Sequence, residues 1–312
     1  MQAKGYMGQL VYDIESSFGT APTTAAGTAL PFNKCELKAS QTIITPATIS
    51  GTRNPVEPGR GHIAVDGSVE IPMDTNAIGF WLKAMFGAPV TTGAAAPYTH
   101  VFKPSNNQPS LVLEKGFKDI GQYFKYSGCK INTFKMTAGD DGELTASMDI
   151  LGANEVVGST PYMATPGSVT LDRLNNFQGV LKENGVPTAT IKTLELDLAF
   201  GLDSDQYVLG SIGRGDIPEG LIEVSGTIKA LFNDIATIQK GINATETKLE
   251  LDFTNGDKQL NFLMPEVQYE RTSPTITGPA GVVAEFKFSG YYKNAAEASA
   301  IVVTLINSTE TY

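Results

Sequence analysis

An all-β chain is what this sequence of 312 residues predicts, and three observations carry the prediction. Apolar residues recur at every second position in segment after segment, the period of a strand with one buried face. The 32 glycines and 17 prolines exceed ordinary usage without any collagen-like period, so the chain turns often. A single stretch carries its apolar residues at helical spacing. Apolar residues at 41% and charged residues at 18% are those of a packed globular chain rather than a disordered one. The length suffices for two cores.

Taken in order, strands are expected at 9–14, 33–39, 62–71, 110–113, 122–136 (as two pieces) and 143–151. They continue at 190–200, 221–231, 247–253, 259–270 and 282–292, with one more at 300–306. Clusters of Gly, Pro, Asn or Asp bound them. Asp140-Asp141-Gly142 predicts a hairpin turn, because Asp-Gly suits the positive φ of a tight turn. The helical exception follows Asp74-Thr75-Asn76, which can cap a helix. Ile78, Trp81, Leu82 and Met85 stand behind it at helical spacing, and Gly87 and Pro89 end it. It reads as a core-packing helix. Loops 41–60 and 201–219 are about 20 residues long, beyond the ~12–15 at which loops usually carry function or lack order.

An internal repeat organises these elements. A shift of 159 residues lays 32–73 on 191–232 without a gap, with identities at Glu36/Glu195, Leu37/Leu196, Gly51/Gly210, Gly61/Gly220, Ile63/Ile222, Val65/Val224 and Gly67/Gly226. With gaps, Leu144, Ala146, Met148, Ile150 and Gly152 lie on Val282, Ala284, Phe286, Phe288 and Gly290. A duplicated domain follows, with units at 1–160 and 161–294, a boundary near 152–167 and a C-terminal extension at 295–312. The extra strand of that extension has no expected counterpart between the copies. The second copy carries a shorter apolar segment, ending at Gly241, where the first has its helix.

Charge and composition exclude several functions. Twenty-three basic against 33 acidic residues give −10, unfavourable for a protein that grips nucleic acid over its whole surface. Two cysteines and two histidines cannot build a structural zinc site, and Cys35 and Cys129 read as small buried hydrophobes. No apolar run reaches the ~18–20 residues of a membrane helix, and the N-terminus shows no signal-peptide core. His62 and His100 sit in no catalytic signature, so neither an enzyme nor a cofactor is expected. Asp203 and Asp205 form a D-x-D read as a turn rather than a metal site, and Arg214-Gly215-Asp216 reads as a chance adhesion tripeptide. Glu195, Asp197, Glu250 and Asp252 alternate with leucines and phenylalanine, so they face away from the core. Bulk solvent or a water-filled passage are the two readings of that face. A carbohydrate-binding β-sandwich, for which Tyr291-Tyr292 is the tempting platform, is the alternative function.

The segment Gln9-Leu-Val-Tyr12-Asp-Ile-Glu15-Ser-Ser-Phe18-Gly19-Thr-Ala-Pro22 resembles the opening of tail tube proteins of long, flexible-tailed phages. Gly51-Thr-Arg53-Asn-Pro55, Gly59-Arg60-Gly61, Phe86-Gly87, Tyr98-Thr-His100-Val-Phe102 and Tyr126-Ser-Gly128-Cys129 resemble later segments. So do Phe177-Gln-Gly179 and Gly226-Thr-Ile228 in the second copy. The resemblance implies β-sandwich or partial-barrel domains, two in tandem here, each with one short helix. Their sheets would join between neighbours into a barrel, in rings stacked as a tube that conducts DNA without binding it specifically. Three chains would close a pseudo-six-fold ring. The long loops would reach the next ring, with Thr45, Ile49, Arg53, Asn54, Glu57, Arg60, Asp203, Asp205, Arg214 and Asp216 as contacts. Glu195, Asp197, Glu250 and Asp252 would line the lumen. A tape measure protein and tail-terminator and tip proteins would be partners, in a virion assembled in the host cytoplasm.

Overall fold

The structure is a computed structural model and describes residues 2–139, 141–276 and 278–312. The first half forms β1 (Gly8–Ile14), β2 (Thr28–Leu30), β3 (Lys34–Cys35), β4 (Lys38–Ile44) and β5 (Gly59–Pro72). Helix α1 (Ile78–Phe86) follows, then β6 (Val90–Thr92), β7 (Tyr98–Phe102), β8 (Leu111–Phe117), β9 (Gln122–Ala138), β10 (Thr145–Gly152) and β11 (Asn154–Gly158). The second half continues with β12 (Gly167–Ser168), β13 (Gly179–Glu183), β14 (Val186–Pro187), β15 (Ile191–Ala199) and β16 (Glu223–Leu231). Helix α2 (Ala236–Ile242), β17 (Thr247–Asn255), β18 (Lys258–Tyr269), β19 (Val283–Tyr291) and β20 (Val302–Asn307) complete it. Among the described residues strands dominate and each half has one short α-helix, as the sequence predicts.

One layer runs unbroken through both halves. Its order is β3 and β4, then β5, β10, the C-terminal part of β9, β15, β16, β19 and the C-terminal part of β18. We call it the wall. Behind it lies an outer layer: β2–β1–β8–β9–β11 over the first half, and β14–β13–β17–β18–β20–β7–β6 over the second. The segment expected as two strands within 122–136 is therefore one strand of 17 residues. Its first part pairs with β8 and β11 in the outer layer, its last part with β10 and β15 in the wall. β9 and β10 pair across the turn read from Asp-Asp-Gly, whose Asp140 lies outside the described residues.

The core between the layers is continuous across the halves. Phe134 of β9 stacks on Phe262 of β18 at 6.2 Å between ring centroids, and Phe86 meets Phe200 edge-on at 5.8 Å. Helix α1 starts where Asp74 Oδ1 accepts the Asn76 and Ala77 N–H groups at 2.7 Å each, and it buries Ile78, Trp81, Leu82, Met85 and Phe86. Gly87 ends it in a left-handed conformation that other residues adopt at a cost. The shorter α2 has no buried residue.

Strand register recurs between the halves. The pairs Cys35↔Val69, Lys38↔Asp66 and Ala39↔Val65 reappear 159 residues on as Leu194↔Ile228, Asp197↔Ser225 and Leu198↔Val224. Ile150↔Gly67 and Phe288↔Gly226 correspond likewise. β20 lies against β18 as β11 lies against β9, so the C-terminal strand does have a counterpart in strand pairing. Sequence reading missed it because 154–158 shows no alternation.

Candidate conduit wall

Period two decides what the wall presents. On β15, Leu194, Leu196 and Leu198 are buried, which turns Thr193, Glu195 and Asp197 to the opposite face. The same phase places Asp66, Ser68 and Glu70 on β5, Ser147 and Asp149 on β10, and Thr133, Lys135 and Thr137 on β9. Ser225, Thr227 and Lys229 follow on β16, and Glu285, Lys287 and Ser289 on β19. The face is thus built of short hydroxyls and charges, with acids outnumbering lysines.

Three lysines of this face stand beside acids. Lys135 lies 3.8 Å from Asp197, Lys229 3.9 Å from Glu195, and Lys34 2.8 Å from Glu36. Thr133 donates to Asp149 at 2.8 Å and Ser68 to Glu36 at 3.1 Å. The Lys34 ammonium and the Ser68 hydroxyl hold the Glu36 carboxyl below its ordinary range. Exposed pairs of this kind add little stability. Their effect is to leave an approaching polyanion few uncompensated cations, and each such contact would add counterion-release affinity.

The two halves meet in the wall by backbone pairing. Residues Thr133 to Ala138 of β9 form an antiparallel ladder with Leu194 to Ala199 of β15. A loop seals this seam at one end. Arg214, 7% exposed, donates to the carbonyls of Val65 (3.0 Å) and Gly152 (2.7 Å), to Asp66 (2.9 Å) and to Ser204 O (2.7 Å). Lys130 donates to Ile217 O and Glu219, at 2.9 and 2.8 Å. Burial alone would raise the Glu219 carboxyl, but the Lys130 ammonium and the Gln108 amide outweigh it and hold it below its usual range. His62 stacks on Tyr207 with ring centroids 4.5 Å apart.

A model of the phage tail tube protein family matches residues 5–290. The chain belongs to the phage tail tube protein family. It is a structural protein of the phage tail. No curated protein matches it. Family membership does not favour the carbohydrate-binding alternative, and of its two tyrosines Tyr291 is engaged with Glu246 through its hydroxyl.

The structure of this tail tube protein separates the four acids expected to share one face. Glu195 and Asp197 lie on the wall. Glu250 and Asp252 lie on β17 in the outer layer, Asp252 only 4% exposed and in contact with Lys182 and Asn261. Both strands read as alternating acid and leucine, and only their pairing partners tell them apart. Arg214, expected among the loop contacts, is a buried guanidinium bonded within its own chain. Asp203 accepts the Asp205 N–H at 3.0 Å, which draws its carboxyl below the ordinary range and makes the D-x-D a turn. Asp205 and Asp216 are exposed beside it, as are Thr45, Ile49, Arg53, Asn54, Glu57 and Arg60 around the first long loop. That loop is shorter than expected, 45–58, because β4 runs on to Ile44 and β5 begins at Gly59.

The histidines are packing groups. His100 is buried between Thr91 Oγ1 and Thr309 O, 2.8 Å from each. Among the described residues no cluster of His, Cys, Asp and Glu is arranged for a metal, and no helix is long and apolar enough to cross a membrane. Cys129 is buried, whereas Cys35 is half-buried. Sequence reading missed Lys135, Lys229 and the hydroxyls of β9, β10 and β16 as wall residues, although their phase opposite buried neighbours was a usable signal. It had no signal for Arg214, whose partners Val65 and Gly152 lie far away in sequence.

Proposed function

We propose that three copies of this chain close a ring of six tube-type halves, and that rings stack into the tube of a long non-contractile tail. The observation that carries this reading is the β9·β15 seam. The counterpart of β15 is the β3–β4 edge, and among the described residues β4 pairs with β5 alone. The counterpart of the end of β9 is the stretch after β18, residues 270–276, which forms no ladder. Each copy therefore holds one finished seam and the two edges of another. Open edges of this sort attract a strand, and ring closure satisfies them.

Four wall strands per half make a barrel of roughly 24 strands at six halves, well past the ~16–18 that already leave an aqueous channel. At ~4.8 Å between strands and a tilt of ~40° its backbone diameter is about 45–50 Å. The units are then 1–160 and 161–312, with β20 included in the second. DNA would pass through the bore, along with a tape measure protein, and terminator and tip proteins would cap the ends. Assembly in the host cytoplasm belongs to the same reading.

Native mass measurement of assembled rings is expected to give three chains. Six full-length chains per ring would sink the tandem arrangement and leave the tube role standing. A second expectation concerns the bore. Duplex DNA carries a charge every ~1.7 Å, and acids repel it over ~8 Å at physiological salt. Glu195→Lys with Asp197→Lys is expected to slow genome passage while tubes still assemble, since both side chains are half-exposed. Unchanged DNA delivery from tails built of this variant would refute the assignment of this face to the bore.

A further inference from the structure

We infer that the loop of residues 45–58 is a lateral clamp, which seats on the second half of the neighbouring copy in the same ring instead of reaching the next ring. The inference rests on the ring reading above. Its starting point is the loop 159 residues further on, between β15 and β16, whose seat is visible. That loop belongs to the second half but is held by β5 and the end of β10 in the first. The Ile63 N–H donates to Ile212 O at 2.8 Å, Arg214 reaches Val65, Asp66 and Gly152, and Tyr207 stacks on His62. It locks the seam from one side.

Strand register supplies the corresponding seat on the second half. Val65, Asp66 and Gly152 correspond to Val224, Ser225 and Gly290, and His62 to Leu221. Where His62 has Tyr207 against it, Leu221 stands 93% exposed. The loop that would cover it carries Ile49, 96% exposed, one residue beyond the counterpart of Tyr207. Ile43 is 73% exposed, while its counterpart Leu202 packs partly buried against the core beside the finished seam. Arg53 is the guanidinium available to the carbonyls of Val224 and Gly290. An aromatic stack inside the chain is thus replaced by an aliphatic contact between copies. Both ends of that contact lie bare in the isolated chain, and a second copy is the occupant that carries both.

The test uses the full chain. Replacing 45–57 by a short Gly-Ser turn, and separately Ile49→Asp and Leu221→Asp, are expected to leave single chains folded, since these side chains are exposed. They are expected to raise the concentration for half-assembly of rings at least tenfold. Sedimentation then shows single chains where the unmodified protein gives rings. In a chain carrying Ile49→Cys and Leu221→Cys, oxidation is expected to link copies within a ring, so that covalent species stop at the ring size. Variants that still close rings, and merely fail to stack them, overturn the clamp in favour of an axial contact. Covalent ladders longer than one ring, or no link between Ile49→Cys and Leu221→Cys in assembled rings, overturn it too. An unmodified chain that forms no ring overturns the ring reading itself, which separates the two failures.

Discussion

Arg214→Ala is expected to release the loop 201–219 and to lower the stability of the chain by about 3 kcal/mol or more. The guanidinium makes four hydrogen bonds from a buried position, two of them to the main-chain carbonyls of Val65 and Gly152. Hydrogen bonds to a charged group contribute ~1.5–3 kcal/mol each, and bonds sharing one side chain do not add. Alanine would leave both carbonyls facing an emptied site, so the loss exceeds that of any single bond. Against a total of ~5–15 kcal/mol for a typical domain this is a large fraction. Arg214→Lys is expected to recover little, because an ammonium gathers its three donors on one atom and cannot span the four acceptors that the planar fork of arginine meets. Chemical denaturation and limited proteolysis read the two parts of the effect. A variant with an unchanged midpoint and a loop still resistant to protease would show that the guanidinium does not hold it.

Gly226→Ala is expected to be at least as damaging. A Cβ at this position would stand 2.2 Å from the Glu195 carbonyl and 2.5 Å from the Phe288 ring. At Gly67, its counterpart, the same atom would stand 2.5 Å from the Glu36 carbonyl and 2.6 Å from Leu37 Cα. Overpacking a core side chain costs ~1–3 kcal/mol because neighbours can turn aside. Here the obstacle is the backbone of the adjacent wall strand, so the strands must part and the cost is about 3–5 kcal/mol. Soluble yield and the thermal midpoint by far-ultraviolet dichroism measure it. Gly5→Ala is the matched control, as a Cβ there meets nothing within 4 Å. Equal behaviour of the two variants would refute the close-approach argument.

These glycines also show what was legible beforehand. Ile63-x-Val65-x-Gly67 and Ile222-x-Val224-x-Gly226 announced a repeated strand with a glycine in it, and the reason is now physical: carbonyl oxygens of Glu36 and Glu195 occupy the space a side chain would need. Strands with one buried face were readable in the same way, since burial imposes the period. Short strands such as β2, β6 and β14 were not, because two or three residues cannot display one. The far end of β4 escaped for another reason. Thr42, Ile43 and Ile44 are all exposed, so no buried face marks the strand and it passed for loop. For the wall, alternation told which acids face outward but not which layer they belong to. β15 and β17 read alike, yet one pairs with β9 in the wall and the other with β13 in the outer layer. Pairing between distant segments is set by the whole chain, and a local pattern does not contain it.

β9 and β18 each pass from the outer layer into the wall without a break. Tension applied along the wall is therefore carried outward by covalent backbone, not by side-chain contact between stacked layers. In β9 the ladders to β8 and β11 and those to β10 and β15 run along one strand, so a pull along it loads all four in shear. Shear breaks many hydrogen bonds together, whereas peeling an edge breaks them one at a time. The wall cannot be torn away while the outer layer stays at rest; the two stretch, and fail, as a single laminate.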